Sequence, residues 1–591
     1  MKKKYKFFLL SVIAVMIFSC EEGWFSPKPL SIFAPENVYV DKAGLDAVLL
    51  TCRRGLRDEF YGGPSVFTNE LMSSECCISG SKGVTATHNF RIQVTPNGTG
   101  QSDFFKHWDN AYVQIRNANV IISRIDAPDW NSEQDKNEIL AEAYFHRAYW
   151  YYRLVNQFGD VPFLNREYTE PKTTFYTHSR KTILTKIQDD MEFAVLWLPN
   201  IVDPGKVNRA AGNHLLTKIY LANSQFDKAI SSASAVIESG VHSLMKQRFG
   251  KYASDGKYNV IWDLHQKENK SSAENKEGIL IVQDKYGFPD AQAGNGTDAI
   301  RNYSGCWWNT QFLRDPEGKS ACTDKSGDWQ IVKLGRGNGY ARPTNYTSYE
   351  IWADCGADLR HDTTVNWMPM EKLLINNPSS NYYGEPVEKK YNNTIDTIQS
   401  WFPWPYYKFY IEDEQRPLQP WGGHSDWYVF RLAETYLLRA EAYWWKGDLI
   451  AAASDINEVR ARTLAPPVNP SNVTIEYILD ERVRELYGEE PRKTELTRIA
   501  FIMANNSFNG YSTDNFHKKN YWFDRIDEKN NFYNFGIMYG TNEYKIDPYH
   551  VLWPIPQDVI DNNMGGFINQ NIGYFGSENN ISPKEEITES D

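Results

Sequence analysis

Three short stretches set flat aromatic rings beside amides and guanidinium groups: Trp307-Trp308-Asn309, Asp328-Trp329-Gln330, and the string Arg336-Gly337-Asn338-Gly339-Tyr340. A sugar ring offers an apolar C–H face and a rim of hydroxyls, so a site for it combines aromatic platforms with side chains that make paired hydrogen bonds. Loop-borne Trp beside Asn and Arg is that combination. Nine of the 19 Trp fall between residues 301 and 430, less than a quarter of the chain, so these platforms are concentrated in one region. Consecutive side chains of an extended segment point to opposite faces, so one of Trp307 and Trp308 is expected to serve as a platform. The candidate binding residues are therefore Trp307, Trp308, Asn309, Trp329, Arg336, Asn338 and Tyr340, with Arg91 added from the polar, turn-rich stretch between the first two helices. Trp401-Phe402-Pro403-Trp404-Pro405 is a rival platform, but its prolines and apolar neighbours suit a packed loop at least as well.

Catalytic and metal-binding patterns are missing from the sequence. There is no H-E-x-x-H, no G-x-S-x-G elbow, no P-loop and no G-x-G-x-x-G after a strand. Asp324-x-Ser326-x-Asp328 opens like a calcium loop, but Trp329 stands at the sixth position and Gly335 at the twelfth, where Gly and Glu are required. The expected protein is a binder without catalytic residues, cofactor or resident metal. A hydrolase using a carboxylate pair from the insertions is the alternative from another class.

Compartment is decided at the N-terminus. Lys2, Lys3, Lys4 and Lys6 precede an apolar stretch from Phe7 to Phe18, about twelve residues and too short to span a bilayer. Ser19-Cys20 then stands where an export signal is cut, and Ile17-Phe18-Ser19-Cys20 resembles the lipobox of bacterial lipoproteins. That resemblance implies cleavage before Cys20 and lipidation of its sulfur; several acyl chains anchor stably where one would not. The acidic pair Glu21-Glu22 is similar to the surface-export signal of Bacteroidetes lipoproteins.

The whole chain of 591 residues carries 63 Lys and Arg against 75 Asp and Glu, a net charge of -12, and the leader holds four of those Lys and no acid. Nucleic acid is disfavoured as a partner. Polyanionic ligands are mildly disfavoured too, unless local charge from Arg336, Arg342 and Arg91 makes a positive patch. Six cysteines follow Cys20, with no C-x-x-C pair; Cys52 lies on an apolar helical stripe, and Cys306 and Cys322 flank a loop that they could close.

Helical periodicity dominates. Leu45, Val48, Leu49, Cys52, Leu56 and Phe60 share one face of a helix, Phe104 to Ile125 carries a second, and a third runs from about Glu138 to Gly159. In Leu216-x3-Tyr220-x5-Phe226-x2-Ala229, and again in Tyr443-x3-Gly447-Asp448-x3-Ala452, large and small residues fall at tetratricopeptide spacing. These units are more than two hundred residues apart, so tertiary contacts must bring them together. Glu434, Glu441, Arg431, Arg439, Glu481, Arg482, Arg484 and Glu485 read most simply as charged faces and ion pairs of packed helices.

Six blocks carry a family resemblance: residues 141–164 (AEAYFHRAYWYYRLVNQFGDVPFL), 205–230, 339–360, 428–463, 478–498 (ILDERVRELYGEEPRKTELTR) and 554–574 (PIPQDVIDNNMGGFINQNIGY). In that order they resemble the signature blocks of the SusD/RagB family. Asp358-Leu359-Arg360 departs from the family's frequent Asp-Pro-Arg, and Asn562-Asn563-Met564-Gly565-Gly566 from its frequent Asn-Pro. The resemblance implies a mainly α, SusD-like fold: a tetratricopeptide-type helical scaffold with long loop insertions and few short strands. It divides the chain into a signal peptide (1–19), an N-terminal helical part (20–240), aromatic-rich insertions forming the ligand face (241–430) and a C-terminal helical part (431–591), with 20–591 one structural unit. It also implies a lipid-anchored protein of the outer membrane's outer surface. Such a protein captures nutrient oligosaccharides for a SusC-like TonB-dependent transporter, without enzymatic activity; peptide cargo on the same fold is the alternative.

Overall fold

A computed structural model describes residues 38–591 except 64, 83–86, 98–101, 293 and 295, and of Ser102 and Asp103 the backbone only. Cys20 and the Glu21-Glu22 pair lie outside the described residues.

Asp41 starts the first helix, its carboxylate accepting from the Gly44 amide at 2.8 Å. Helix α1 (Lys42–Gly55) buries Leu45, Leu49 and Cys52, and Leu56 and Phe60 continue that apolar stripe through a 3-10 turn. It packs on α2 (Ser102–Arg124), which packs on α3 (Glu133–Gln157). Helix α3 begins five residues before the start expected from periodicity. Its first turn, Glu133-Gln134-Asp135-Lys136, has no apolar repeat, but Ser132 caps it by accepting from the Asp135 amide. Gly159, at φ 72°, ends it in the left-handed region that a side chain resists.

The layer continues through α4 (Arg180–Trp197), α5 (Arg209–Ala222) and α6 (Phe226–Ile237), each against the next. There the chain leaves for nearly two hundred residues, and α6 packs instead on α9 (Leu432–Trp445), which pairs with α10 (Leu449–Ala461). The two tetratricopeptide-type units are thus spatial neighbours. Ala229, Ala233, Ala440, Ala442 and Ala452 are buried at these crossings, where a larger side chain would force the axes apart. Phe226 stacks on Trp445 with centroids 5.6 Å apart, so Trp445 cements the unit junction. Helices α11 (Ile475–Leu486) and α12 (Arg492–Asn505) pack across α9 and α3. No described helix is long and apolar enough to cross a membrane.

Strands are few and short. The pair β1 (Cys77–Ser79) with β3 (Ala341–Pro343) is antiparallel, with Cys77 opposite Pro343. Antiparallel β2 (Gly278–Val282) and β4 (Trp427–Arg431) join residues about 150 positions apart and close the neck of the insertion between them. Beyond that neck the insertion builds its own apolar cluster from Cys306, Trp307, Phe312, Leu313, Cys322, Ile331, Met370, Leu373 and Trp401. Cys306 and Cys322 are both buried there as free thiols, unpaired like the other described cysteines.

Most charged residues of α9 and α11 form the expected ion pairs of packed helices, and those pairs are buried, while Glu476 stays exposed. Glu441, Glu481, Arg482 and Arg498 are fully buried, and Arg482 alone reaches Glu441 (3.1 Å), Glu490 (2.6 Å) and Glu495 (2.9 Å). Each guanidinium is forked between carboxylates from different helices, which satisfies its fixed donor geometry away from water.

Candidate functional site

The aromatic region resolves into two neighbouring surfaces joined by one short helix, α8 (Trp329–Leu334). Asp328 starts α8: its carboxylate accepts from the Gln330 amide at 3.0 Å and from Asn376 Nδ2 at 3.1 Å. Gln330 fixes it against the chain at residue 374, donating to the Leu374 carbonyl and accepting from its amide. Asp328 is therefore a helix cap, and Asp324 pairs with Arg336 at 2.7 Å, so the calcium-like spacing serves local structure.

On the first surface, Trp307 is 1% exposed and belongs to the insertion's core. It cannot act as a platform, whereas Trp308, its neighbour, is half-buried. Trp308 is itself engaged: Nε1 donates to the Gly337 carbonyl at 2.7 Å and the Arg336 guanidinium covers its ring at 4.2 Å. Arg336 reaches on toward Trp421, which also carries Arg301 and Arg416, each at 4.2 Å. Asn338, with its amide turned to suit both neighbours, accepts from Arg301 and from the Tyr340 hydroxyl at 3.1 Å. The glycine string is a close-packed turn. A Cβ on Gly337 would sit 2.2 Å from the Ser304 carbonyl oxygen, and Gly339 lies at φ 64°. Asn309 is half-buried and its oxygen accepts from the Gln311 amide. Trp329 is 53% exposed, the one predicted Trp that leaves most of its ring to solvent. Arg91 sits apart from this cluster, in a forked ion pair with Asp547 at 2.5 and 2.6 Å. The rival Trp401, Phe402 and Trp404 are buried.

Replacing Trp307 with Ala is expected to cost roughly 3 kcal/mol of stability, as for a large core side chain, and to leave ligand affinity unchanged in the folded fraction. Denaturant unfolding together with calorimetry measures both.

The second surface is a cleft that the sequence reading did not single out. It encloses about 210 Å³ and is walled by Tyr252, Tyr258, Trp262, Tyr406 and Tyr410. The rings run nearly parallel: Tyr258 to Trp262 at 4.4 Å and 17°, Trp262 to Tyr406 at 5.9 Å and 26°, Tyr406 to Tyr410 at 4.7 Å and 19°. Their positions are set by polar anchors. Arg248 holds the turn carrying Tyr252 and Tyr258 by donating to the Tyr258 carbonyl at 2.5 Å and to Asp263 and the Tyr252 carbonyl. Asn259 caps α7 (Val260–His265) at the Trp262 amide. The hydroxyls of Tyr406 and Tyr410 donate to the carbonyls of Lys333 and Val332, at 2.9 and 2.8 Å, so the cleft wall is tied to α8. Burial pushes the Tyr410 phenol up to about 12, with Glu412 adding to the rise, so it stays a neutral donor.

Lys333 therefore lines the cleft while its ammonium lies 6.0 Å from the Trp329 ring, which places the exposed indole beside the cleft mouth. A pocket for a drug-sized ligand usually measures roughly 300–1,000 Å³, so this cleft has room for about one ring. The only sequence signal for the cleft was the recurrence of Lys251-Tyr252 and Lys257-Tyr258 in a turn-rich segment.

Comparison with known proteins places this architecture. The SusD family model matches residues 260–574, and a second, described as starch-binding and associating with the outer membrane, matches residues 71–221. The chain belongs to the SusD/RagB family. SusD-like protein P25 of Formosa agariphila is 24% identical over 581 residues, covering 92% of this chain and 94% of that one. The starch-binding protein SusD of Bacteroides thetaiotaomicron is 34% identical over 146 residues, 25% of this chain and 21% of that one. A laminarin-binding SusD-like protein superposes with a TM-score of 0.59 at 18% identity, covering 90% of this chain and all of its own, a likeness of fold. The helical scaffold with few strands is thus the SusD-like fold; the Trp308 cluster lies within the span of the SusD match, and the cleft does so except for Tyr252, Lys257 and Tyr258, which precede it.

Proposed function

We propose that this SusD/RagB protein is a cell-surface, lipid-anchored receptor that captures oligosaccharides and passes them to a TonB-dependent outer-membrane transporter. The observation that carries the reading is the cleft: an aromatic wall held rigid by polar anchors, open to solvent, with an exposed indole beside it. Such a wall receives the C–H face of a sugar, while Gln266, Thr363 and Thr364 at the rim supply hydrogen-bonding groups for its hydroxyls. Starch and laminarin binding by relatives supports a glycan cargo. Anchoring through Cys20 and docking on a SusC-like partner rest on the leader and on family membership.

Catalysis is not part of the proposal. The two carboxylates of the cleft, Glu268 and Glu412, are each engaged by a lysine, Lys251 at 2.6 Å and Lys267 at 3.7 Å. Purified protein should leave every glycan of a panel intact over a day, and release of reducing ends would favour the hydrolase reading instead.

Tyr258→Ala, in a turn fixed by other groups, is expected to weaken glycan binding about tenfold, about 1.4 kcal/mol, with little change in melting temperature. Calorimetry of the soluble form beginning at Glu21 against a polysaccharide panel tests this. Binding of peptides, displaced by the same substitution while no glycan binds, would move the cargo to the peptide class.

A further inference from the structure

The cleft is rich in cations and poor in free carboxylates. Lys257, Lys267, Lys333 and Lys372 line it against Glu268 and Glu412, a local excess of positive charge in a chain whose net charge is -12. Among the described residues Lys257, Lys333 and Lys372 make no ion pair with a carboxylate; Lys372 is directed to the Thr363 carbonyl and Lys257 lies over the Tyr258 ring at 5.2 Å. Two indoles that line the cavity, Trp262 at 7% exposure and Trp367 at 4%, have a buried Nε1–H with no partner. Both Nε1 atoms are closed off, so the charged donors that a ligand can reach are the lysines. Meanwhile the Tyr406 and Tyr410 hydroxyls have spent their protons on backbone carbonyls and offer a ligand only lone pairs, and both carboxylates that line the cleft are paired with lysines, so the charge left for a ligand to meet is the positive charge of the unpaired lysines.

The arginines that the sequence suggested as a positive patch do not make one: Arg336 is neutralised by Asp324, Arg91 by Asp547, and Arg342 covers the Phe532 ring at 4.5 Å. The lysines of the cleft take that role. Resting on the glycan-receptor reading above, we infer that the cleft selects an acidic oligosaccharide, one whose sugar ring lies on the Tyr258–Tyr410 wall while its carboxylate or sulfate group meets Lys257, Lys333 and Lys372. Lysines suit this task, since a flexible point charge accepts either anion without a fixed fork geometry. The negative field of the whole chain does not oppose it, because solvent screens charges beyond about a Debye length of roughly 8 Å while the cleft lysines act at contact.

The test compares matched polymers that differ only in charge: polygalacturonate against its carboxyl-reduced form, and a sulfated galactan against its desulfated form, on the soluble protein. The acidic member of at least one pair is expected to bind at least tenfold more tightly, and raising salt from about 0.05 to about 0.5 M should erase most of that difference. The pair that shows it distinguishes carboxylate from sulfate. The triple variant Lys257→Gln, Lys333→Gln, Lys372→Gln alters exposed side chains, so its melting temperature should hold while its preference for the acidic member is lost and neutral binding persists. Equal affinity within both pairs, or a preference untouched by the triple variant, overturns the inference. If neutral glycans then still bind and Tyr258→Ala still weakens them, the receptor reading stands without it; binding to no glycan removes both.

Discussion

Arg431→Met is expected to destabilise the protein by roughly 3–5 kcal/mol, the range for breaking a buried ion pair from one side. Arg431 closes strand β4 and opens α9, and it is fully buried. Its Nη1 meets Glu277 at 2.6 Å and Glu485 at 2.5 Å, its Nε meets Glu489 at 2.8 Å, and its Nη2 donates to the Glu485 carbonyl at 3.0 Å. Burial alone would disfavour the guanidinium, but Glu489, Glu485 and Glu277 outweigh it and raise its pKa, so the charge is retained. Methionine fills much of the volume and removes the charge, leaving three carboxylates short of a cation that water cannot replace. Arg462 still serves Glu277 and Glu485, and Lys408 still serves Glu489, which keeps the loss finite. Arg431→Lys should recover part of it, having the charge without the fork. Urea unfolding of the three proteins gives the comparison, and a loss below about 1 kcal/mol for Arg431→Met would place these pairs with the weak surface kind.

That network marks where sequence reading stops. Charges at three- and four-residue spacing on α9 and α11 look the same whether the face meets water or another charged face. Burial is a property of the assembly: α11 packs on α9 and Arg498 of α12 reaches Glu441, which puts the ion pairs inside. Apolar periodicity was more faithful, because Leu45, Leu49 and Cys52 have no stable alternative to the core, and the small residues of both repeat units announced close helix crossings. The candidate cleft shares its residue types with the stretches singled out in the sequence but not their place. Adjacent Trp307 and Trp308 did split between interior and surface, yet the intramolecular use of Trp308 by Arg336 and Gly337 depends on the fold of the glycine turn. The cleft residues Tyr252, Tyr258, Trp262, Tyr406 and Tyr410 come from segments some 150 positions apart, which no local pattern connects.

Lowering the pH is expected to unfold the protein in two stages, a gradual loss below about pH 6.5 and a steeper one below about pH 4.5. Histidines set the first stage. Burial lowers His107 to about 3, His550 to about 3 and His88 to about 4, against an ordinary value of 6.5. The partners of His107 show why: Nε2 lies 3.1 Å from the Val66 carbonyl and donates to it, while Nδ1 lies 3.3 Å from the Gln157 amide nitrogen and accepts. Protonating Nδ1 would set two donors against each other. Between the folded and unfolded pKa values the unfolded chain binds more protons, so stability falls as pH drops from about 6.5.

Carboxylates set the second stage. Burial alone would raise Glu75, Glu434 and Glu481, but cations outweigh it and hold each at about 2: Arg492 and Arg525 for Glu75, Lys218 and His214 for Glu434, Arg360, Arg484 and Arg460 for Glu481. Their stabilisation is complete above the unfolded value of 4.5 and is lost as pH falls toward 2, roughly 3 kcal/mol for each on the linkage scale. Glu59 and Asp58, raised by burial, take up protons earlier in the folded state and soften the fall without reversing it. Three such carboxylates together approach the roughly 5–15 kcal/mol that holds a typical domain folded, so helical circular dichroism should collapse between about pH 4 and 2.5. His107→Gln keeps a neutral donor and acceptor and should flatten the slope between about pH 6.5 and 4.5 while leaving the acid collapse in place. An unchanged slope in that window would assign the first stage to other groups.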